Sequence, residues 1–167
     1  MMTVLFVHKL VLWIYVALLG WAAISDTLRL IIPNRVSLGL LLLYPAQALT
    51  IGSGSDVAYA ALIAAIVLLV GAGMFARGWL GGGDVKLMAV VALWAGPKLI
   101  VDFILVMTLS GAALAIALMT PMAALLPVYL TPETSGDGEV RRMRRNMPYG
   151  VAIAIAGLYV ALHLVAS

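Results

Sequence analysis

Long apolar runs, broken by proline, glycine and charged residues, fill almost the whole chain. Their lengths and spacing predict six helices, at residues 4–24, 36–51, 57–76, 85–95, 99–126 and 149–165. The fourth would be about 17 Å long, roughly half of the hydrocarbon thickness of a bilayer. Pro121 and Pro127 are expected to kink or end the fifth. The pattern predicts an all-α, polytopic membrane protein with about six transmembrane helices.

Composition supports this architecture. Hydrophobic residues make up 65% of the 167 residues and charged residues 10%, whereas soluble domains are roughly 45–50% apolar and about 25% charged. One water-soluble core cannot bury so many apolar side chains. We therefore expect a single integral membrane domain over residues 1–167 and no separate soluble domain.

The first apolar run has a second interpretation, as a secretory signal. Lys9 precedes an apolar stretch that closes with the small residues Ala22, Ala23 and Ser25. The stretch is already apolar from Val4 onward, which is long for a signal. We therefore favour a transmembrane helix.

Basic residues are distributed unevenly between the two predicted sides of the membrane. If the N-terminus lies outside, eight of the ten Lys and Arg residues fall on the inner side, and only Lys9 and Lys98 fall outside. This bias predicts that the inner side is cytoplasmic, and it places Asp26 and Asp84 there. A membrane-orientation signal explains the pI of about 9.5 better than nucleic-acid binding does. The basic run at 141–145 is interpreted as an anchor near anionic lipid head groups, with a docking role as the alternative.

Five of the seven acidic residues have structural explanations. Asp56 is positioned to cap the third helix. Asp102 lies four residues after Lys98, a spacing that favours an ion pair along the helix. The other three lie in the polar loop before the last helix, where we expect solvated charges: Glu133, Asp137 and Glu139.

Asp26 and Asp84 differ from these five because each lies where an apolar helix meets its cytoplasmic loop. A carboxylate at membrane depth is costly and indicates a function. Each also has a structural alternative: Asp26 can mark a helix end that emerges into water, and Asp84 can be the N-cap of the fourth helix. Cysteine is absent, which excludes disulfides, thiolate metal sites and cysteine nucleophiles.

Both aspartates belong to short motifs. Ser25-Asp26 is followed, after five residues, by Ile32-Pro33-Asn34, a Pro-Asn turn into the next helix. Asp84 closes the segment Gly81-Gly82-Gly83-Asp84. Three glycines leave the backbone bare, so we expect another part of the chain to approach Asp84 closely.

These motifs resemble those of the type IV prepilin peptidases, which are bacterial GxGD aspartic proteases related in mechanism to presenilin. Gly81, Gly83 and Asp84 match the GxGD motif, with Val85-Lys86 as its usual continuation. Asp26 with Ile32-Pro33-Asn34 matches the motif that carries the first catalytic aspartate. Pro148-Tyr149-Gly150 is similar to the late Pro-Phe-Gly of the family.

The resemblance implies that Asp26 and Asp84 are the catalytic pair, without a metal or other cofactor. The implied supporting or substrate-binding residues are Gly81, Gly83, Lys86, Pro33 and Asn34. The implied substrate is a prepilin or pseudopilin, whose short basic leader ends in glycine before a hydrophobic helix, cleaved at the cytoplasmic face of the bacterial inner membrane. Two carboxylates that share one site cannot both ionise easily, so one is expected to act as general base and the other to keep its proton.

The chain also departs from the larger members of that family, whose cytoplasmic insertion carries Cys-x-x-Cys pairs associated with zinc and N-methylation. Here the first cytoplasmic loop is predicted to have only about ten residues, and cysteine is absent. The resemblance is therefore to the small peptidase-only branch that serves tight-adherence (Flp-type) pili, and methyltransferase activity is not expected.

The sequence leaves more than one role open for Lys86 and more than one function open for the protein. Lys86 either stabilises the anionic aspartate, contacts the substrate backbone, or snorkels to set topology. The alternatives to a peptidase are a small ion- or proton-coupled transporter, since intramembrane carboxylates also mark ion pathways, and a non-catalytic subunit of a pilus or secretion assembly. A transporter does not explain the Pro-Asn turn.

Overall fold

Five helices make up the regular structure of the described chain. The computed structural model describes residues 2–51, 54–119 and 149–166. The helices are α1 (Met2–Arg29), α2 (Asn34–Ile51), α3 (Gly54–Ala76), α4 (Gly82–Met119) and α5 (Tyr149–Ala166). The all-helical class is confirmed. The predictions for Pro121, Pro127, the acidic residues of the last loop and the basic run at 141–145 fall outside the described residues.

The predicted fourth and fifth helices together form α4, and their predicted separation is confirmed, because non-helical backbone at Gly96 divides α4 into two helical segments. The two helical segments meet at Gly96, which has φ 57° and ψ −169°, and Pro97 follows it. Proline disfavours helical backbone in the residue before it, and a positive φ is readily adopted only by glycine. The Gly96-Pro97 pair therefore ends the first helical segment of α4 and begins the second at an angle to it.

Three helical segments in the described chain are long and apolar enough to cross a membrane, namely Phe6–Arg29, Gly54–Ala76 and Gly82–Ala117. The last helix is apolar but shorter, at Tyr149–Val165. Large hydrophobic side chains cover much of the outer surface; Leu42, Leu69 and Ile116, for example, are all exposed. Contiguous apolar surface of this extent is atypical of soluble proteins. The chain is a membrane protein, while the predicted count of about six spans stays a prediction.

The first segment of α4 lies at the centre of the bundle. α4 packs against α2, α3 and α5, and α1 packs against α2 and α5. Residues 91–96 are all buried, which is typical of a helix that is hydrophobic on every side. Small residues permit close helix contacts: a Cβ at Gly71 of α3 would lie only 2.8 Å from Cγ1 of Val85 in α4.

Buried aromatic residues tie the helices together through hydrogen bonds. The Tyr15 and Trp94 rings lie 4.3 Å apart between centroids. Trp94 Nε1 donates to the Leu40 carbonyl at 3.1 Å, and the Tyr15 hydroxyl donates to the Gly157 carbonyl at 3.3 Å. These bonds join α4 to α2 and α1 to α5, which fixes the relative positions of the helices that carry the site.

At the bundle end opposite Asp26, the ion pair expected between Lys98 and Asp102 is not formed. Lys98 Nζ instead lies 3.7 Å from Asp56 Oδ2 in the first turn of α3. The kink at Gly96 precedes Lys98 by two residues and lets its side chain reach a neighbouring helix. Local helix spacing favours a pair, but the tertiary contact prevails here.

Candidate active site

Asp26 lies in the last turn of α1, because that helix continues to Arg29, five residues beyond the predicted end. The Leu30 amide donates to the Asp26 carbonyl at 2.8 Å, and Leu30 has a φ of 52°. This is the left-handed C-terminal cap that ends many helices. A positive φ at leucine stores strain, of a kind that clusters at functional sites.

The connection from α1 to α2 is much shorter than the predicted loop of about ten residues, spanning only residues 30–33. The Ser25 hydroxyl donates to the Ile31 carbonyl at 2.7 Å, and the Val36 amide donates to the Pro33 carbonyl at 3.0 Å. Pro33 thus immediately precedes α2, and Asn34 begins it. The Pro-Asn turn predicted from the sequence is confirmed, and it turns the chain sharply beside Asp26.

Asp84 lies in the first turn of α4 and is not its N-cap, since the helix begins at Gly82. Its carboxylate turns back and accepts a hydrogen bond from the Gly81 amide, as a residue at the third helical position does in a capping box. Its Oδ1 atom is buried without a hydrogen-bond partner among the described residues. Helix capping therefore explains only one of its two oxygens.

The fold brings the two aspartates together, although two helices separate them along the chain. Asp26 is 5% exposed, Asp84 is half-buried, and the two carboxylates lie near enough for an electrostatic interaction. No lysine or arginine among the described residues forms an ion pair with either carboxylate. Helix ends that simply emerge into water would not enclose two acidic groups in this way.

The first turn of α5 holds the Asp26 carboxylate. The Gly150 amide donates to Asp26 Oδ2 at 2.7 Å, and the Val151 amide also donates to this carboxylate. Free amides at a helix N-terminus favour a negative charge. Sequence reasoning identified Pro148-Tyr149-Gly150 only as a likeness and assigned it no role. A backbone amide carries no residue-type signal, so only the fold reveals this contact.

The site thus joins two carboxylates from separate motifs, and comparison with known proteins identifies the family. The sequence profile of the type IV leader peptidase family matches residues 13–116, more than half of the chain. This chain belongs to the type IV leader peptidase family. No curated protein and no solved structure matched it. Both aspartates lie within the matched residues, whereas Gly150 and α5 lie outside them.

The glycines of this leader-peptidase family member allow the first motif to approach the second. A Cβ at Gly83 would lie 3.1 Å from Cβ and 3.2 Å from the carbonyl oxygen of Ile32. A Cβ at Gly81 would lie 2.7 Å from Asp84 Oδ2, and one at Gly150 would lie 2.7 Å from Cδ1 of Ile32. The expected close approach is confirmed, and Ile32 is the residue that packs against both Gly83 and Gly150.

Lys86 and Asn34, both predicted as supporting residues, bind each other. Lys86 Nζ donates to Asn34 Oδ1 at 2.9 Å, and both side chains are exposed. Lys86 makes no hydrogen bond to either aspartate, so its predicted stabilisation of the anionic member has no direct contact to support it. The bond instead connects the start of α2 to the first turns of α4, and therefore links the two motifs.

Proposed function

We propose that this protein is an aspartic endopeptidase that cleaves the leader of prepilins or pseudopilins, with Asp26 and Asp84 as its catalytic residues. One observation carries the proposal: two carboxylates from separate motifs meet at one end of the bundle without a cation paired to either in the described chain. Membership of a leader-peptidase family supports the reaction class. Paired carboxylates are the groups that hydrolyse peptides in aspartic proteases.

The hydrogen bonds suggest different roles for the two residues. Asp26 accepts two amide donors at the N-terminus of α5, and these donors favour its ionised form and offset part of the cost of burial. Asp84 accepts one amide donor and has a buried oxygen without a partner, which suits a shared or retained proton. We assign Asp26 as the general base and Asp84 as the proton donor of the free enzyme.

Hydrolysis then follows from these protonation states. Asp26 takes a proton from a water molecule as the water oxygen attacks the scissile carbonyl carbon, and Asp84 gives its proton to the carbonyl oxygen. Asp26 then gives the proton that it took from water to the amide nitrogen as the C–N bond breaks, and Asp84 takes back a proton from one hydroxyl of the tetrahedral intermediate as the new carboxyl group forms. The water has then supplied the hydroxyl of the new carboxyl group and a proton to the new amine, and the pair again holds one proton.

The substrate and the location follow the family resemblance. We propose a short basic leader that ends in glycine before a hydrophobic helix, cleaved at the cytoplasmic face of the bacterial inner membrane during pilus biogenesis. In this proposal six helical segments span the bilayer, with α4 counted as two at Gly96, and the N-terminus lies outside. Without the cysteine-bearing insertion, the enzyme is a peptidase of the small GxGD type and does not methylate its product.

A cleavage assay tests the reaction directly. Purified protein in detergent or vesicles is incubated with a prepilin of the tight-adherence type, and the products are identified by mass spectrometry. The peptidase proposal expects cleavage at the leader boundary by the wild type and none by Asp84→Asn. A transporter or a non-catalytic subunit would leave the prepilin intact at every protein concentration tested.

A crosslinking experiment tests the shared site independently of activity. The chain has no cysteine, so Asp26→Cys with Asp84→Cys creates its only thiol pair. A disulfide requires Cα atoms within about 7 Å, and short bifunctional reagents extend the reach. Intramolecular crosslinks are expected, with more in the presence of prepilin. Two reactive thiols that no short reagent joins would exclude a shared dyad.

Orientation has its own test with impermeant thiol reagents. A cysteine at Arg77 should be labelled only from the cytoplasm and one at Ser55 only from outside, since the positive charges favour that arrangement. The reverse pattern would place the aspartates on the side to which an unexported leader has no access.

A further inference from the structure

An open groove lies between α2 and α3, with the first segment of α4 as its floor. Its volume is about 510 Å³, within the range of small-molecule sites. Its walls are almost entirely apolar, and the small residue Ala65 on α3 leaves room along one side. Because the outer surface here faces lipid, an apolar occupant must fill this space.

The groove is separate from the aspartate pair. Asp84 and Lys86 lie two positions apart in α4, which places them about 200° apart around the helix. Lys86 lines the groove. The opposite side of α4 faces the α5 helix, since a Cβ at Gly157 would lie 3.3 Å from Cγ1 of Val91. The groove and the aspartate pair therefore lie on different sides of α4.

One end of the groove is cationic. Arg35 and Lys86 line it, no acidic residue does, and neither cation forms an ion pair within the described chain. Lys86 binds only the neutral amide oxygen of Asn34 there. An anionic group complements this end, whereas the basic leader of the proposed substrate would be repelled.

A buried hydroxyl on the groove wall is a second indication that the groove binds a ligand with a polar group. Ser37 lines the groove and is 6% exposed. Its Oγ has no hydrogen-bond partner among the described residues, although a buried hydroxyl normally has one. Ser37 lies one helical turn below Asn34, at the boundary between the cationic end and the apolar walls.

We propose that this groove binds one anionic phospholipid. Arg35 and Lys86 bind its phosphate, Ser37 donates to an ester carbonyl, and an acyl chain lies along the apolar walls toward Leu41 and Leu68. Basic pockets between transmembrane helices bind anionic head groups in this manner. The lipid would fill the space between α2 and α3, which contact each other little or not at all.

Photolabelling tests the proposal without any use of peptidase activity. The purified full chain is placed in phosphatidylcholine vesicles that contain a small fraction of phosphatidylglycerol with a photoreactive group in its acyl chain. A phosphatidylcholine probe with the same reactive group serves as the comparison. Labelled residues are then mapped by mass spectrometry. The phosphatidylglycerol probe is expected to label the groove faces of α2, α3 and α4 several-fold more than the phosphatidylcholine probe.

Matched variants distinguish specific lipid binding in the groove from non-specific attraction of anionic lipid to surface cations. Arg35→Gln should lower phosphatidylglycerol labelling several-fold, whereas Arg77→Gln removes an exposed cation that lies over Trp79 outside the groove and should leave labelling unchanged. Ala65→Phe should block labelling by filling the groove. Val70→Phe, on the opposite face of α3, should not.

Three results would overturn the proposal. Equal labelling by the two probes would mean that ordinary bilayer lipid covers the groove. An equal loss in Arg35→Gln and Arg77→Gln would mean that only surface charge attracts the lipid. If a prepilin peptide displaces the probe, so that groove residues are no longer labelled in its presence, the groove binds the substrate helix instead. None of these outcomes depends on whether the protein cleaves prepilin.

Discussion

Aspartate residues have opposite environments at the two ends of the bundle. At one end Asp56 lies 3.7 Å from Lys98, whose side chain is 79% exposed. At the other end Asp26 and Asp84 lie together, largely buried, and backbone amides rather than cations bind them. The first arrangement is an ordinary surface ion pair. The second confines two like charges in one place, which destabilises the doubly ionised form.

This difference distinguishes the two carboxylates that we propose to be catalytic from an acidic residue in an ordinary ion pair. In the ion pair at the first end, each charge has a partner of opposite sign on a neighbouring helix. In the proposed mechanism, the amide donors and the neighbouring carboxylate allow the aspartate pair to hold one proton and to transfer it.

The largest effect should come from removing either carboxylate of the pair. Asp26→Asn and Asp84→Asn should each lower prepilin cleavage by at least about 100-fold, because general acid–base catalysis contributes roughly 10²–10⁴-fold. Cleavage rates in vesicles measure this, and membrane accumulation checks folding. Asp56→Asn and Asp102→Asn serve as matched controls and should retain nearly full activity. Near wild-type cleavage by either pair variant would remove the proposed mechanism.

A large effect is also expected from Gly150→Ala. The added Cβ would lie 2.8 Å from Asp26 Oδ2 and 2.7 Å from Cδ1 of Ile32, so the carboxylate must move. A displacement of about 1 Å can cost up to about 100-fold in rate. Cleavage should therefore fall by about ten- to 100-fold while the protein still accumulates in the membrane.

Gly157→Ala is the matched control for overpacking in α5. Its Cβ would lie 2.7 Å from Cδ1 of Leu19, an equally tight contact between α5 and α1 but two helical turns from Asp26. We expect a loss of thermal stability without a comparable loss of cleavage rate per folded molecule. Equal loss of that rate in the two variants would mean that general packing of α5, and not the hold on Asp26, matters.

A smaller effect is expected from the bond that links the two motifs. Asn34→Ala removes the acceptor of Lys86 Nζ, and a net hydrogen bond contributes about 1 kcal/mol, which corresponds to roughly fivefold in rate. Cleavage kinetics of Asn34→Ala, Lys86→Ala and the double variant form a cycle. If the bond matters, the double variant should lose less than the product of the single losses. Fully independent losses would show that the contact does not support the site.

The smallest effect belongs to the opposite end of the bundle. Lys98→Gln should change the free energy of unfolding by at most about 1 kcal/mol, because exposed ion pairs contribute little. Cleavage should remain at the wild-type rate. Thermal unfolding in detergent and the prepilin assay measure the two quantities. A strong loss of cleavage would mean that the two ends are coupled through α4.

Local sequence patterns were sufficient to predict the all-helical membrane class of the protein and its two unusual acidic residues. Apolar runs of membrane length require helices, because backbone groups in lipid must be satisfied internally. Acidic residues are rare in this chain and costly at membrane depth. Asp26 and Asp84 could therefore be identified as candidate functional residues from their positions and motifs. The turn at Pro33-Asn34 and the bare backbone of Gly83 were predictable for the same local reasons.

Tertiary structure alone decided how those residues are held and which partners they have. The amides of Gly150 and Val151, the Lys86 bond to Asn34 and the pairing of Lys98 with Asp56 all join distant parts of the chain. Backbone donors have no residue-type signature, and an ion pair forms wherever helix packing brings the charges together. Local pattern determines the helices and the exceptional residues, whereas the contacts between helices depend on how their surfaces fit.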